Sequence, residues 1–295
     1  MSRIVLLKCA SLIILLSAGV GQPSAVDRVA REQLSKANAD GFILVHDVRS
    51  GRVLAHIGEP KSFGIDSSVA PLSVIKVFVA AVWLEHGFGD TVVDCDGGQR
   101  DRVRRMNVEE MLVSGCDSAG KRMAVLLRQK IGGARVLSDL RRFGIASLTL
   151  KPDATDEEWG RVLSLGEEQV PVTPAQVAVF FAAIGNRGGK LMSNRTARAL
   201  QSALDAVVQR GTADSIKDAL AGTGWHIGGK TGTGPGACAD HCDGWFAGLV
   251  GDSRGTRYVV LAMIRGKGLG SGVAAHAVAS IAEYLAANEA KKAQP

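Results

Sequence analysis

Apolar and polar positions along the chain fall into stretches of helical spacing and stretches of alternation, which set out its elements in order. Residues 26–38 read as a helix. Residues 41–47 and 52–57 alternate around Arg49-Ser50-Gly51 and predict a hairpin. Residues 73–86 (SVIKVFVAAVWLEH) are almost wholly apolar and predict a buried helix, with shorter helices at 108–113, 119–129 and 134–142. Thr173-Pro174-Ala175-Gln176 is a strong helix start: Thr caps, Pro suits the first helical position, and Gln completes a capping box. That helix runs to about residue 184 and stops at Asn186-Arg187-Gly188-Gly189; another fits 195–208. Three strand-like segments follow at 225–231, 244–250 and 256–264, then a final amphipathic helix at 273–288.

The order is helix, two strands, a block of helices, three strands, helix. Short connections favour antiparallel pairing of the last three strands. The simplest layout is α+β: one sheet with helices packed on it and a helical subdomain, about 77–210, inserted between its halves. Composition agrees with one folded unit, at 46% hydrophobic and 22% charged in 295 residues. Residues 1–25 differ from the rest. Arg3 and Lys8 precede an apolar run over 9–20, then small residues, with no acid before Asp27. This is the layout of a signal peptide, leaving 26–295 as the mature domain. The protein is therefore expected to be exported, periplasmic or otherwise extracytoplasmic, or held at the membrane if the signal is not cleaved.

Charge and cysteines narrow the partners. Removing residues 1–25 takes away Arg3 and Lys8 and no acid, so the net charge falls from +6 to +4. The cluster Arg100, Arg102, Arg104, Arg105 lacks interleaved aromatics, so no nucleic-acid partner is expected. Four cysteines remain after Cys9, and an exported chain can pair them. Proximity suggests Cys238–Cys242 and Cys95–Cys116, with a free Cys116 thiol facing a site as the alternative. Cys238-x-x-x-Cys242 beside Asp240 and His241 invites a metal, but no second ligand pair has zinc-like spacing.

Two short motifs carry chemistry. Ser73-Val74-Ile75-Lys76 sets a hydroxyl and an amine on one helix face, where the amine can reach the oxygen. A serine needs such a base, and apolar neighbours together with a helix N-terminus lower the lysine pKa. Ser118-Ala119-Gly120-Lys121 repeats the spacing, so spacing alone decides nothing. Lys230-Thr231-Gly232 lies in a Gly-rich strand, 227–234, suited to docking an extended peptide by backbone hydrogen bonds.

Together these residues resemble the penicillin-binding protein transpeptidases, relatives of the serine β-lactamases, whose Ser-x-x-Lys and Lys-Thr-Gly motifs they match. The likeness spans nearly the whole mature chain. Residues 41–58 resemble the family's first hairpin, and 71–76 its nucleophile helix. Residues 165–189, with Val172-Thr173-Pro174, resemble the segment before its final sheet, and Gly211-Thr212-Ala213 also matches. The resemblance implies an antiparallel five-stranded sheet flanked by helices, and it selects Ser73 over Ser118. It implies a serine DD-peptidase/transpeptidase acting on peptidoglycan stem peptides ending in D-Ala-D-Ala, transpeptidase before carboxypeptidase, with β-lactams as covalent inhibitors or substrates and without cofactor or metal. Ser73 attacks the carbonyl, Lys76 takes the proton, and the backbone N–H groups of Ser73 and Thr233 form the oxyanion hole. Lys230, Thr231, Gly232 and Thr233 hold the substrate carboxylate.

The family's middle motif, Ser-x-Asn, is altered here. In one register Ser114 keeps the relay hydroxyl and Cys116 replaces Asn in binding substrate; in the other Gly115 replaces Ser and Asp117 replaces Asn. The first is preferred because it retains a hydroxyl, although Cys is a weaker partner than an amide. Glu157, Glu158, Glu167 and Glu168 do not fit the Glu-x-x-Leu-Asn of class A β-lactamases, so a penicilloyl-enzyme is expected to persist. The alternatives are a class D-like β-lactamase with a carboxylated Lys76, and a catalytically weakened penicillin-binding module.

Overall fold

A computed structural model describes residues 24–96, 103–234 and 241–292. Most of the signal segment therefore lies outside the described residues. Helix α1 (Ala25–Ala37) starts in a capping box, Ser24 with Asp27, and ends at Asn38 in the left-handed region. The chain then forms strands β1 (Gly41–Asp47) and β2 (Val53–Glu59), a 3-10 turn (Leu72–Val74) and helix α2 (Ile75–Glu85). A small hairpin, β3 (Val93–Cys95) with β4 (Arg104–Met106), leads into α3 (Val108–Ser114), α4 (Asp117–Ile131) and α5 (Gly133–Arg142). Next come α6 (Asp156–Leu165), α7 (Pro174–Gly185) and α8 (Asn194–Arg210). Strands β5 (Trp225–Gly234), β6 (Asp243–Asp252) and β7 (Gly255–Ile264) and helix α9 (Val273–Lys292) complete it.

The five long strands form one sheet in the order β2-β1-β7-β6-β5, each neighbouring pair antiparallel. The fold is thus the α+β arrangement expected, with β1 closing onto the last strand rather than standing apart. Phe42, Ile43, Leu44 and Val45 are all buried. α1 and α9 pack on each other and on the sheet, α7 also packs on β1, β6 and β7, and α8 packs on β5. A central strand covered on both faces reads as an apolar run rather than an alternation. Helix α2 is buried from Ile75 to Trp83 and packs against α3, α4, α5, α6 and α8, as a helix apolar all round must.

Helix α6 and the β3–β4 hairpin were not anticipated. Glu157 and Glu158 sit in the first turn of α6, whose N–H at Glu158 is capped by the Thr155 side chain. The capping box at Thr173 and Gln176 forms as read, with both hydrogen bonds made. A disulfide joins Cys95 to Cys116 and ties β3 to the turn between α3 and α4. Cys242 is also disulfide-bonded; its expected partner, Cys238, lies outside the described residues. Among the described residues no helix is long and apolar enough to cross a membrane.

Candidate active site

Ser73 lies in the 3-10 turn that opens α2, and tertiary contacts shape that turn. Leu72, immediately before it, has φ 51°, in the left-handed region that disfavours a branched side chain. Its N–H donates to Gly166 O at 3.1 Å. Gly166 is itself left-handed, and a Cβ there would lie 2.1 Å from Leu72 O, so only glycine permits this approach. On the other side, β5 comes close because it carries glycines: a Cβ at Gly234 would meet the Leu72 side chain at 2.8 Å, and one at Gly232 would meet Trp245 and Leu72. The Gly-rich strand thus lies against the turn that holds Ser73.

Lys76 Nζ donates to Ser73 Oγ at 2.8 Å, the contact expected from their spacing. Its side chain is 1% exposed. Burial pushes the Lys76 pKa below the ordinary lysine value, and the Lys121 charge pushes the same way, while Asp117 opposes both. Gly120 makes room for it, since a Cβ there would lie 3.1 Å from Lys76 Cε and 2.5 Å from Ser164 Oγ.

Lys76 has a second partner. Asp117 Oδ1 accepts from Nζ at 2.6 Å, and the Asp117 side chain is 56% exposed. The backbone around Asp117 explains how it arrives there. Helix α3 ends at Gly115 in the left-handed region, which turns the chain sharply. Cys116 then caps α4, its sulfur accepting from Ala119 N–H, and Asp117 is the first residue of α4. Ser164 Oγ donates to Asp117 O at 3.0 Å and fixes its backbone.

This geometry brings Gly115 and Asp117, not Ser114 and Cys116, to the lysines. Ser114 Oγ turns back along α3 and donates to Glu110 O at 2.7 Å. Cys116 is held in its disulfide. A Cβ at Gly115 would stand 3.9 Å from Lys230 Nζ, so the residue facing that lysine brings no hydroxyl. The signal that could have chosen this register was the Cys95–Cys116 pairing, since a bridged Cys116 is unavailable to substrate. Ser118 also stays out of the site: its Oγ accepts from Asp96 N–H at 2.9 Å.

Lys230 is 1% exposed and donates to Thr231 O at 3.0 Å. Burial, reinforced by the charge of Lys76, lowers its pKa to about 7. Thr231 is buried and shares a 2.7 Å hydrogen bond with Thr212. Thr233 accepts from Gly270 N–H through its hydroxyl and is half-buried. A cleft of about 1100 Å³ opens above them, lined by Ser73, Asp117, Thr233, Gly234, Glu168 and Arg265 among others. Lys230 and Thr231 are not part of its wall. Among the described residues no group of His, Cys, Asp and Glu is placed to hold a metal.

A serine, a buried amine and a Gly-rich strand meet beside this cleft, the set of groups that attack on a carbonyl would need. Comparisons with known proteins point the same way. The sequence model for "Penicillin binding protein transpeptidase domain" matches residues 41–283. No curated protein sequence matches significantly. Among solved structures, a peptidoglycan glycosyltransferase from Burkholderia ambifaria is similar with TM-score 0.74 and 20% identity, covering 92% of this chain and 96% of its own. The transpeptidase domain of Burkholderia pseudomallei penicillin-binding protein 3 gives TM-score 0.72, 18% identity and 94% and 98% coverage. A D,D-transpeptidase domain from Eggerthella lenta gives 0.68, 18%, and 90% and 81%.

Proposed function

Because the chain belongs to the penicillin-binding protein transpeptidase family, we propose that it is an exported serine DD-peptidase of peptidoglycan stem peptides. Ser73 Oγ attacks the carbonyl of the D-Ala-D-Ala bond or of a β-lactam, and the acyl group passes to Ser73 as the amine leaves. The observation that carries this is the 2.8 Å contact between Ser73 Oγ and a lysine nitrogen at 1% side-chain exposure. A buried amine whose charged form is penalised can take the hydroxyl proton, which a solvated lysine near neutral pH cannot. The N–H groups of Ser73 and Thr233 receive the developing oxyanion. Thr233 holds the substrate carboxylate, and Lys230 supplies positive charge. Export is supported by residues 1–25 and by the Cys95–Cys116 disulfide, a bond that persists in oxidising compartments.

A carboxylated Lys76, as in a class D-like β-lactamase, would set a new anion against Asp117, which weighs against that reading. The absence of a hydroxyl at Gly115 favours, as a second reading, a weakened module that binds β-lactams with little turnover. The test is mass mapping with labelled penicillin, together with turnover of an N-acyl-D-alanyl thioester. Label on the peptide containing Ser73, and thioester cleavage lost in Ser73→Ala, support the enzyme. Label elsewhere, or cleavage that survives the substitution, overturns it. Label without cleavage selects the weakened module. Because the ring-opened amine of a β-lactam stays tethered to the acyl group, the penicilloyl-enzyme is expected to last minutes or longer.

A further inference from the structure

Resting on the Ser73 acyl-enzyme just proposed, we infer that Asp117 is the base that delivers water to that ester, making the protein a hydrolase of its linear peptide substrates. Three observations carry this. Asp117 touches Lys76 at 2.6 Å, and Lys76 touches Ser73 at 2.8 Å, so the three groups form one chain from cleft to nucleophile. Lys76 is sealed at 1% exposure, whereas Asp117 is 56% exposed and lines the same cleft wall as Ser73, where water reaches it. The other acids of the cleft are placed differently: Glu167 is ion-paired with Arg161, and Glu168 and Asp243 make no contact with the Ser73–Lys76 pair.

The protonation state of the pair suits one half of the reaction better than the other. With Lys76 charged and Asp117 ionised, Ser73 Oγ accepts a hydrogen bond from the ammonium. Attack by Ser73 requires Lys76 to release that proton to solvent first, so the ion pair slows acylation; the free amine then takes the Ser73 proton and is an ammonium again when the thiolate of a thioester has left. Once the ester exists, the same pair is set for its hydrolysis. Asp117 takes a proton from water, and the hydroxide adds to the ester carbonyl carbon. The tetrahedral intermediate collapses with cleavage of the bond from carbon to Ser73 Oγ, and that oxygen takes its proton from the Lys76 ammonium. The free acid leaves, and Asp117 returns its proton to Lys76. Atoms and charge balance, with water as the only co-reactant.

The consequence is an enzyme limited by acylation, in which a linear acyl-enzyme does not accumulate. An N-acyl-D-alanyl thioester is the probe, because its thiolate leaves without protonation and diffuses away. Wild-type protein should turn it over with no burst and no detectable acyl group on Ser73. Asp117→Asn, which removes the base and frees Lys76, should trap about one equivalent on Ser73, and kcat should fall about 10²–10⁴-fold, the usual worth of a general base. KM should fall with it, leaving kcat/KM unchanged or raised, since an interaction used only after acylation is lost. Asp117→Ala should behave alike and recover hydrolysis with added formate, which a merely structural role would not allow. A wild-type burst of one equivalent, or Asp117→Asn hydrolysing as fast as wild type, overturns the inference while leaving the Ser73 acyl-enzyme intact. No acylation of Ser73 in any of the proteins overturns the functional reading and this inference with it.

Discussion

Two Ser-x-x-Lys sequences begin two helices of this chain, and they come to different ends. Ser73 and Lys76 join at 2.8 Å, the serine in the cleft wall and the lysine behind it, sealed from water. Ser118 instead accepts a backbone N–H from Asp96, and Lys121 is exposed. Spacing is the same, so the difference is made by what covers each helix. The second sequence nevertheless serves the first. Its glycine, Gly120, leaves the space that Lys76 fills, its lysine lowers the Lys76 pKa by charge, and the residue just before it, Asp117, is the carboxylate on Lys76. A motif that fails as a site can still be the wall of another.

Exchanging the two serines should give the largest contrast. Ser73→Ala is expected to lower acyl transfer to a thioester by at least about 10³-fold. Ser118→Ala should stay within about twofold in rate, losing about 1 kcal/mol of stability with its hydrogen bond to Asp96. Removing the Cys95–Cys116 bridge, which anchors the second sequence to β3, should cost about 3 kcal/mol and lower the melting temperature. Unfolding curves of Cys95→Ser with Cys116→Ser against wild type read this directly, since reductant would also open the bridge at Cys242. Gly120→Ala should push on Ser164 and Lys76 and cost about 1–3 kcal/mol in urea unfolding, with slower acylation, while Lys121→Ala leaves stability nearly unchanged. The smallest effect concerns pH. Lys230 is charged below its pKa of about 7 and neutral above it, so its attraction for a substrate carboxylate is present below pH 7 and fades as pH rises. KM for a carboxylate-bearing peptide should then climb by up to about tenfold per pH unit above 7, and KM for the amide-capped peptide should stay flat.

The parts of the site made by local spacing were legible in the sequence. Ser73 with Lys76, and the glycines flanking Lys230, needed only helix geometry and strand character to be read. Thr173 and Gln176 were legible for the same reason, since a capping box is complete within four residues. The middle motif was not: the break between the helices at 108–113 and 119–129 is legible, but which side chain the turn at Gly115 turns toward the lysines is set by tertiary packing. The need for a hydroxyl favours Ser114, whose oxygen is spent on Glu110 O one turn back. The expected Cys95–Cys116 bridge already excluded Cys116 from binding substrate, and followed through it would have left Asp117. Helix α6 is hidden differently: its acids read as candidate bases, while Thr155 and Glu158 mark the start of a helix. Asp117 acquired meaning only when Lys76 was seen beside it, a contact spanning 41 residues.

Leu72 carries a lesson about timing. Its left-handed backbone is held by Gly166 and by the glycines of β5, residues 94 to 162 positions further along the chain. A growing polypeptide that has emerged only as far as α2 holds the serine and the lysine but nothing to bend the turn between Pro71 and Ser73. The turn is therefore expected to take shape only once β5 has been made and docked, and a copy truncated before β5 should leave Ser73 unlabelled by penicillin.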